Sequence, residues 1–390
     1  MPKLAEKEYC TGCTACASVC PKRSITMVPD ENGFLCPSVE TDKCIGCGLC
    51  EKSCPVMTPL GIATALPRAY AAYSKDETVR RESSSGGVFT EIARTVLKGG
   101  GAVFGAAYNE RFEVGHICVE TERDLAGLRG AKYAQSDLQG VFPHVKDRLD
   151  RGQQVMFSGT PCQVGGLMAY LHKPYENLLT VDFVCHSVPS PMAWKEYVKY
   201  RSQQDNEGDL PESINLRSKE TGWSHYQYSN LFEYANGKKY TARSGESLYM
   251  KLFVGGYINR ESCTNCQFKG YKRVSDLTIG DFWGIWDIAP EMDDNKGTSV
   301  VLVQSEHGAK MMEGLKDKLV QKSVTLEEAS RQNGAMLNPM ASNNLRTEAL
   351  DCIRAGEIAA CAKWFDSSKP TIMRKARNTV KRILHRGFSK

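Results

Sequence analysis

No apolar run in this 390-residue chain approaches the length that crosses a bilayer, so a spanning helix is not expected. The opening Met-Pro-Lys-Leu-Ala-Glu-Lys-Glu-Tyr holds no apolar core of a secretory signal. No G-x-G-x-x-G follows a strand pattern, which removes the nicotinamide-dinucleotide fingerprint. No G-x-x-x-x-G-K-S/T occurs, which argues against ATP-driven chemistry in this chain. Basic residues are not interleaved with aromatics, so a nucleic-acid partner is not expected. Low-complexity segments are absent, and an apolar fraction of 41% suits a globular protein.

What the chain has in excess is cysteine, sixteen in all. Eight of them form two copies of one spacing, each closing on proline. The first is Cys10-Thr-Gly-Cys13-Thr-Ala-Cys16-Ala-Ser-Val-Cys20-Pro21, and the second is Cys44-Ile-Gly-Cys47-Gly-Leu-Cys50-Glu-Lys-Ser-Cys54-Pro55. This is the C-x2-C-x2-C-x3-C-P run that ligates paired [4Fe–4S] clusters. Three cysteines two residues apart wrap one cubane, and the fourth turns toward the other cluster. The first cluster is therefore assigned to Cys10, Cys13, Cys16 and Cys54, and the second to Cys44, Cys47, Cys50 and Cys20. Gly12, Gly46 and Gly48 are expected to let backbone approach the sulfides. Zinc needs four ligands per site and no third evenly spaced cysteine. The stretch resembles a bacterial two-cluster ferredoxin. So many thiols need a reducing compartment, and the cytoplasm is expected.

Net charge is +5, yet Lys369 to Lys390 holds eight basic residues and no acid, which leaves the remainder at −3. Ile372, Met373, Ala376, Val380, Ile383 and Leu384 recur there at helical spacing. Such a basic amphipathic helix lies on an anionic membrane, docks on an acidic partner, or packs on its own domain.

The chain divides into a cluster domain over 1–57, a linker over 58–68, a large domain over 69–330 and a helical extension over 331–390. In the large domain, strands are expected at Ala69–Ser74, Ala102–Tyr108, Val114–Glu120, Val155–Ser158, Leu178–Phe183, Leu277–Phe282 and Ser299–Gln304. Helices are expected near Gly87–Leu97 and Gln139–Arg151. This alternation predicts an α/β (α+β) domain. Asn236-Gly237, between Tyr226–Ala235 and Lys238–Ala242, is the strongest hairpin signal.

Four further cysteines sit where an α/β sheet places ligands. Cys162 lies at a strand-to-helix turn, Cys185 ends a buried strand, and Cys263 and Cys266 form a C-x2-C. They could close a third cubane, bind zinc, or act as a redox pair with a reactive Cys162 thiolate. His186 is a candidate proton donor beside Cys185; a satisfied structural histidine is the alternative. Ser84, Ser85, Gly86 and Gly87 open a helix and suit a pyrophosphate, or are an ordinary N-cap. Lys132, Tyr133, Gln135 and Ser136 precede a helix, Gly159 and Thr160 form a turn, and Asp281, Phe282 and Trp283 end a strand; core packing is the alternative for this last group.

Ser84-Ser-Gly-Gly87, Lys132-Tyr-Ala-Gln-Ser136, Ser158-Gly-Thr-Pro-Cys-Gln163, Asp182-Phe-Val-Cys185, Ser262-Cys-Thr-Asn-Cys266 and Ser275-Asp-Leu-Thr-Ile-Gly-Asp-Phe-Trp-Gly284 keep one order. Together they resemble the coenzyme F420 hydrogenase/dehydrogenase beta-subunit family over about residues 69–320. The resemblance implies a flavin-dependent iron–sulfur oxidoreductase, with FAD held by the residues just named. Ferredoxin or coenzyme F420 is then the expected carrier, with or without a redox partner subunit. Two readings follow. In one, an enzyme exchanges a hydride with a substrate and splits electrons onto clusters, because hydride carriers move two electrons and cubanes one. In the other, a relay subunit meets no substrate.

Overall fold

A computed structural model describes residues 2–61 and 65–365. The basic tail and part of the linker lie outside the described residues. An N-terminal module consists of α1 (Ala15–Val19), β1 (Ile25–Pro29), β2 (Leu35–Val39) and α2 (Leu49–Lys52). The two strands form an antiparallel pair with Ile25 opposite Val39.

The larger part begins β3 (Arg68–Ser74), α3 (Glu77–Glu82), α4 (Val88–Lys98), β4 (Ala102–Tyr108), β5 (Val114–Val119), α5 (Val141–Asp150), β6 (Val155–Gly159), α6 (Pro161–Leu171), β7 (Leu178–Phe183) and α7 (Pro191–Asn206). A small sheet follows, made of β8 (Ser213–Ser218), β9 (Ser229–Glu233) and β10 (Lys239–Arg243), and then α8 (Leu248–Val254). The chain finishes through β11 (Leu277–Asp281), α9 (Ile285–Ile288), β12 (Ser299–Val303), α10 (Glu306–Gly314), β13 (Leu319–Val324), α11 (Leu326–Ser330) and α12 (Arg346–Arg354).

Eight strands form one mixed sheet in the order β13-β3-β12-β11-β7-β6-β4-β5. β11, β7, β6 and β4 run parallel, while β12, β3, β13 and β5 pair antiparallel. This is the expected mixed α/β class. β6 and β12 are buried along their whole length because helices cover both faces, which is why Val155–Phe157 and Val300–Val303 read as continuous apolar runs. Alternation still sorts their side chains. Val103 and Met156 face α4, whereas Phe104, Val155 and Phe157 face Phe142 and Val145 of α5 and Val164 and Leu167 of α6. Each buried Phe here is worth about 3–5 kcal/mol against Ala.

β8 and β13 have no expected counterpart. The Asn236-Gly237 hairpin forms, but only Gly237 is left-handed (φ 80°). The turn is therefore type I with a bulge rather than I′, which needs both residues at positive φ. β9 also starts later than expected, because His225 and Tyr226 adopt left-handed backbone (φ 55° and 63°) in a separate aromatic turn.

Strand polarity sets the position of the site. The carboxyl ends of β3, β6, β7 and β11 and the amino end of β12 share one sheet edge, since Ser299 pairs with both Asp281 and Ala72. A second core of Trp194, Tyr197, Phe232, Tyr249 and Leu350 stands beside it, drawn from α7, β9, α8 and α12. Among the described residues no helix is long and apolar enough to cross a membrane.

Candidate functional site

In the N-terminal module, Cys10, Cys13, Cys16 and Cys54 line one cavity. Gly12 and Thr14 are both left-handed (φ 68°), which curls the loop around it. Burial first, then the charges of Cys10 and Cys54, push the Cys13 thiol up to about 11. Burial and Cys13 lift Cys16 beyond the usual thiol range. Cys13 is buried and Cys10, Cys16 and Cys54 are half-buried, so as thiolates they would repel one another unless a bound cationic centre offset their charge. Cys44, Cys47 and Cys50 surround left-handed Gly46 and Gly48 at the start of α2. Cys20 ends α1, which packs on α2. Burial would raise the Cys20 thiol, but the Ser24 hydroxyl (3.1 Å) and amide (3.3 Å) outweigh it and lower it.

The second group assembles at the sheet edge. Thr160 caps α6 through a reciprocal pair with Gln163, and Pro161 fits the first turn. That geometry sets Cys162 just beyond β6, with its sulfur 3.1 Å from Thr160 Oγ1. Burial raises Cys162 far above the thiol range, and Cys266, Cys185 and Cys13 add to it. Burial likewise pushes Cys185 and Cys263 to about 12, with Cys263 and Cys266 acting on the first and Cys162 and Cys266 on the second. The four cysteines are thus brought together from three segments, beside Cys13 of the N-terminal module.

Among the described residues no three His, Cys, Asp or Glu side chains are close enough to hold a single metal ion. A tetrahedral zinc site needs its sulfurs about 2.3 Å from one ion.

Residues 69–142 match the family described as coenzyme F420 hydrogenase/dehydrogenase, beta subunit N-term, and residues 152–329 match the corresponding C terminus. The chain belongs to this family. Residues 9–58 match a 4Fe-4S dicluster domain, so the beta-subunit fold here carries an iron–sulfur module ahead of it. Among solved structures, a chain from the F420-reducing [NiFe] hydrogenase complex of Methanosarcina barkeri is similar at 14% identity and a TM-score of 0.47. The similarity covers 78% of this beta-subunit-family chain and 94% of that one. No curated protein matches.

The residues expected from the family resemblance to hold flavin behave differently from one another. Ser85 Oγ donates to the carbonyls of Thr298 (2.9 Å) and Gly280 (3.2 Å), and the Gly86 amide donates to Ser299 Oγ (3.0 Å). A Cβ on Gly86 would meet the Ala72 carbonyl at 2.5 Å, so this glycine seats the loop on the sheet. Gly87 (φ 82°) starts α4. Lys132 Nζ caps the carbonyls of Gly127 (2.9 Å) and Arg129 (2.6 Å). Gln135 accepts from the Leu35 amide in the N-terminal module (3.0 Å). Gly159 closes β6 against Gln163, and Phe282 is core.

What remains available forms a polar and aromatic group at the sheet edge. The Ser84 hydroxyl and Arg217 Nε are buried without partners. Arg217 pairs with Asp281, donates to the Tyr133 hydroxyl (3.1 Å), and stacks on Tyr228 at 3.9 Å, Trp223 at 4.7 Å and Trp283 at 5.3 Å. Lys219 donates to Ser85 O (2.6 Å), and burial and then Arg80 lower its ammonium to about 7. An orphan hydroxyl, the Arg217 and Lys219 donors and a wall of rings suit a planar cofactor with polar edges, such as FAD. Arg217, Lys219, Trp223 and Tyr228 had no signal beyond the Ile214-Asn-Leu-Arg217 alternation of β8.

His186 is packed edge-on to Phe253 at 5.3 Å, with Nε2 buried and unpartnered. Burial and Lys269 lower its pKa. Ser136 instead serves a different histidine. Its Oγ lies 2.6 Å from His116 Nδ1, while His116 Nε2 bonds the Ser158 carbonyl at 2.9 Å, tying the loop to β6. Burial holds His116 near 4 rather than 6.5. The unfolded chain therefore binds a proton in that window that the folded chain refuses, and stability falls as pH drops from 6.5 to 4. The loss expected from this group is about 3 kcal/mol. Urea titrations across that range should show it, and His116→Gln should flatten the slope; an unchanged slope would refute the assignment.

Proposed function

We propose that this chain is an iron–sulfur flavoprotein oxidoreductase that couples a two-electron substrate or hydride carrier to one-electron carriers. The observation that carries this reading is the convergence of Cys162, Cys185, Cys263 and Cys266 against Cys13, at the sheet edge where β7 pairs with β11 and Asp281 of β11 holds Arg217.

Cys10, Cys13, Cys16 and Cys54 would hold one [4Fe–4S] cluster, and Cys44, Cys47, Cys50 and Cys20 a second. The edge cysteines would hold a third. Ser84, Arg217, Lys219, Trp223, Tyr228 and Trp283 would hold FAD. A bound flavin supplies the conversion between hydride and single-electron transfer. The chain's own residues bind and orient. Arg217 and Lys219 supply hydrogen-bond donors, the aromatic rings present flat apolar faces, and Asp281 neutralises Arg217 and fixes its fork. Lys269 Nζ donates to the Cys185 and Ala335 carbonyls, and Arg273 Nη1 pairs with buried Asp182 at 3.4 Å, so two cations stand behind the edge cysteines. Coenzyme F420 and reduced ferredoxin are the two candidate carriers.

The test is anaerobic purification with iron, sulfide and flavin counted per chain, followed by titration with F420, NADH, NADPH and reduced ferredoxin. About twelve irons and one FAD fit three cubanes, whereas about eight would remove the third. Flavin bleaching by a hydride donor supports the enzyme. No bleaching by any hydride donor, together with obligate co-purification of a larger subunit, would favour the relay.

A further inference from the structure

Arg260 lies outside the flavin group and is buried, with 4% of its surface exposed. Its amide donates to Val188 O (2.8 Å), and its carbonyl accepts from the Cys263 amide (3.1 Å), which starts the turn carrying the C-x2-C pair. Its guanidinium crosses into the N-terminal module. Nε donates to the Cys10 carbonyl (2.8 Å), Nη1 to the Leu35 carbonyl (3.1 Å) and to Gln135 Oε1 (3.2 Å), and Nη2 points to Cys36 Sγ at 3.6 Å. Phe34 lies beneath it, 5.5 Å from the ring centroid.

Two points make this more than a packing contact. All four acceptors are uncharged, and the nearest carboxylates, Asp30 and Glu261, line the adjoining cavity without pairing to the guanidinium, so its charge is only partly offset. Thiolate-ligated clusters at Cys10 and Cys263 would bring further negative charge to its buried side. Gly12 shows that the approach is built into the ligand loop. A Cβ there would stand 2.4 Å from Gln135 Nε2, 2.7 Å from Leu35 O and 2.9 Å from Arg260 Nη1. Gly12 therefore makes room for Arg260 and Gln135, a role its place in the cysteine run does not reveal.

We propose that Arg260 is the positioning residue that locks the Cys10–Cys16 loop against the Cys263–Cys266 turn, setting both the separation of the two ligand loops and the positive charge between them. The proposal rests on the iron–sulfur reading above. A cation beside a cluster favours its reduced form and raises its potential.

The experiment uses the full chain with its clusters, as Arg260→Gln and Arg260→Lys. Hydrogen exchange over residues 10–16 and 33–36 reports docking, and EPR-monitored redox titration reports charge. R260Q is expected to speed exchange about tenfold or more. At a fixed potential it should also lower the reduced-to-oxidised ratio of the Cys10-loop cluster about tenfold, equivalent to about 59 mV for one electron. R260K keeps the charge but loses the fork, so exchange should rise while the ratio stays within about twofold. If exchange and ratio in R260Q both match the parent, the proposal is overturned. Should R260Q fail to fold, Gln135→Met removes one acceptor and keeps the charge; faster exchange at unchanged potential supports the lock, and unchanged exchange overturns it. About eight irons in the parent would sink the third cluster alone, leaving both readouts on the Cys10 loop in force.

Discussion

Arg217→Ala is expected to destabilise the chain by about 3 kcal/mol and lower the thermal midpoint by roughly 4–6 °C. Arg217 comes from β8 of the small sheet, and Asp281 ends β11 of the large one, so the pair ties the two sheets together. Burial by itself would lower the Arg217 pKa, but Asp281 and then Tyr133 outweigh it and raise it. Truncation would leave the Asp281 carboxylate, 21% exposed, facing Tyr133 and aromatic rings without its cation. Partial access to water keeps the expected loss near the lower end for broken buried pairs. The stack adds to it, because a desolvated guanidinium on an aromatic face contributes about 2 kcal/mol. Arg217→Lys should recover only part, since an ammonium can neither form the fork nor lie flat on Tyr228. The double variant Arg217→Met with Asp281→Leu should be less damaged than the sum of its singles, with a coupling of about 1–3 kcal/mol. An R217A chain within about 0.5 kcal/mol of the parent in anaerobic denaturation would show that the pair is only a surface contact.

The cysteine runs were readable because their chemistry is local. A cubane loop needs thiols at short fixed spacing, and α1 and α2 are barely longer than the loops they close. The parallel strands were readable because complete burial leaves short continuous apolar runs, as in Val155–Phe157. The flavin edge was only partly readable, since its atoms are divided by contacts far away in sequence. Ser85 and Ser84 look alike in the chain, yet Ser85 is engaged by Thr298 and Gly280 while the Ser84 hydroxyl is left free. Gln135 stands within a family-like run but serves the junction with the N-terminal module. Arg217 could not be found, because an arginine in a short strand ordinarily faces solvent. Only the antiparallel sheet β8-β9-β10, folded over the end of β11, turns it inward. The division at residue 330 likewise followed composition. The segment beyond it reads as polar, yet Leu350, Ile353 and Ile358 pack with Trp194 and Tyr249.

Replacing Gly166 with leucine is expected to separate the N-terminal cluster module from the edge cysteines. Gly165 and Gly166 sit within α6, where two successive glycines each cost about 1 kcal/mol of helix propensity. The contacts account for both. A Cβ on Gly165 would meet the Phe268 ring at 2.7 Å, and one on Gly166 would meet Cys13 Cβ at 2.8 Å and Sγ at 2.9 Å. Cys13 and Ala15 are part of the same core as Val164, Leu167 and Leu171, so α6 reaches from Cys162 at one end directly onto the first cluster loop. A leucine at Gly166 cannot be accommodated by rotating a flexible side chain. It must push the Cys10–Cys16 loop away or displace α6, at about 1–3 kcal/mol for overpacking and more where the loop leaves altogether. The expected result is a loss of about four irons per chain, with the Cys44–Cys50 set retained. Gly165→Ala separates this effect from general damage to α6, because the Phe268 ring can move aside and the iron count should hold. If G166L kept the parent's full iron content and stability, the close packing of α6 on Cys13 would not be what holds the N-terminal module in place.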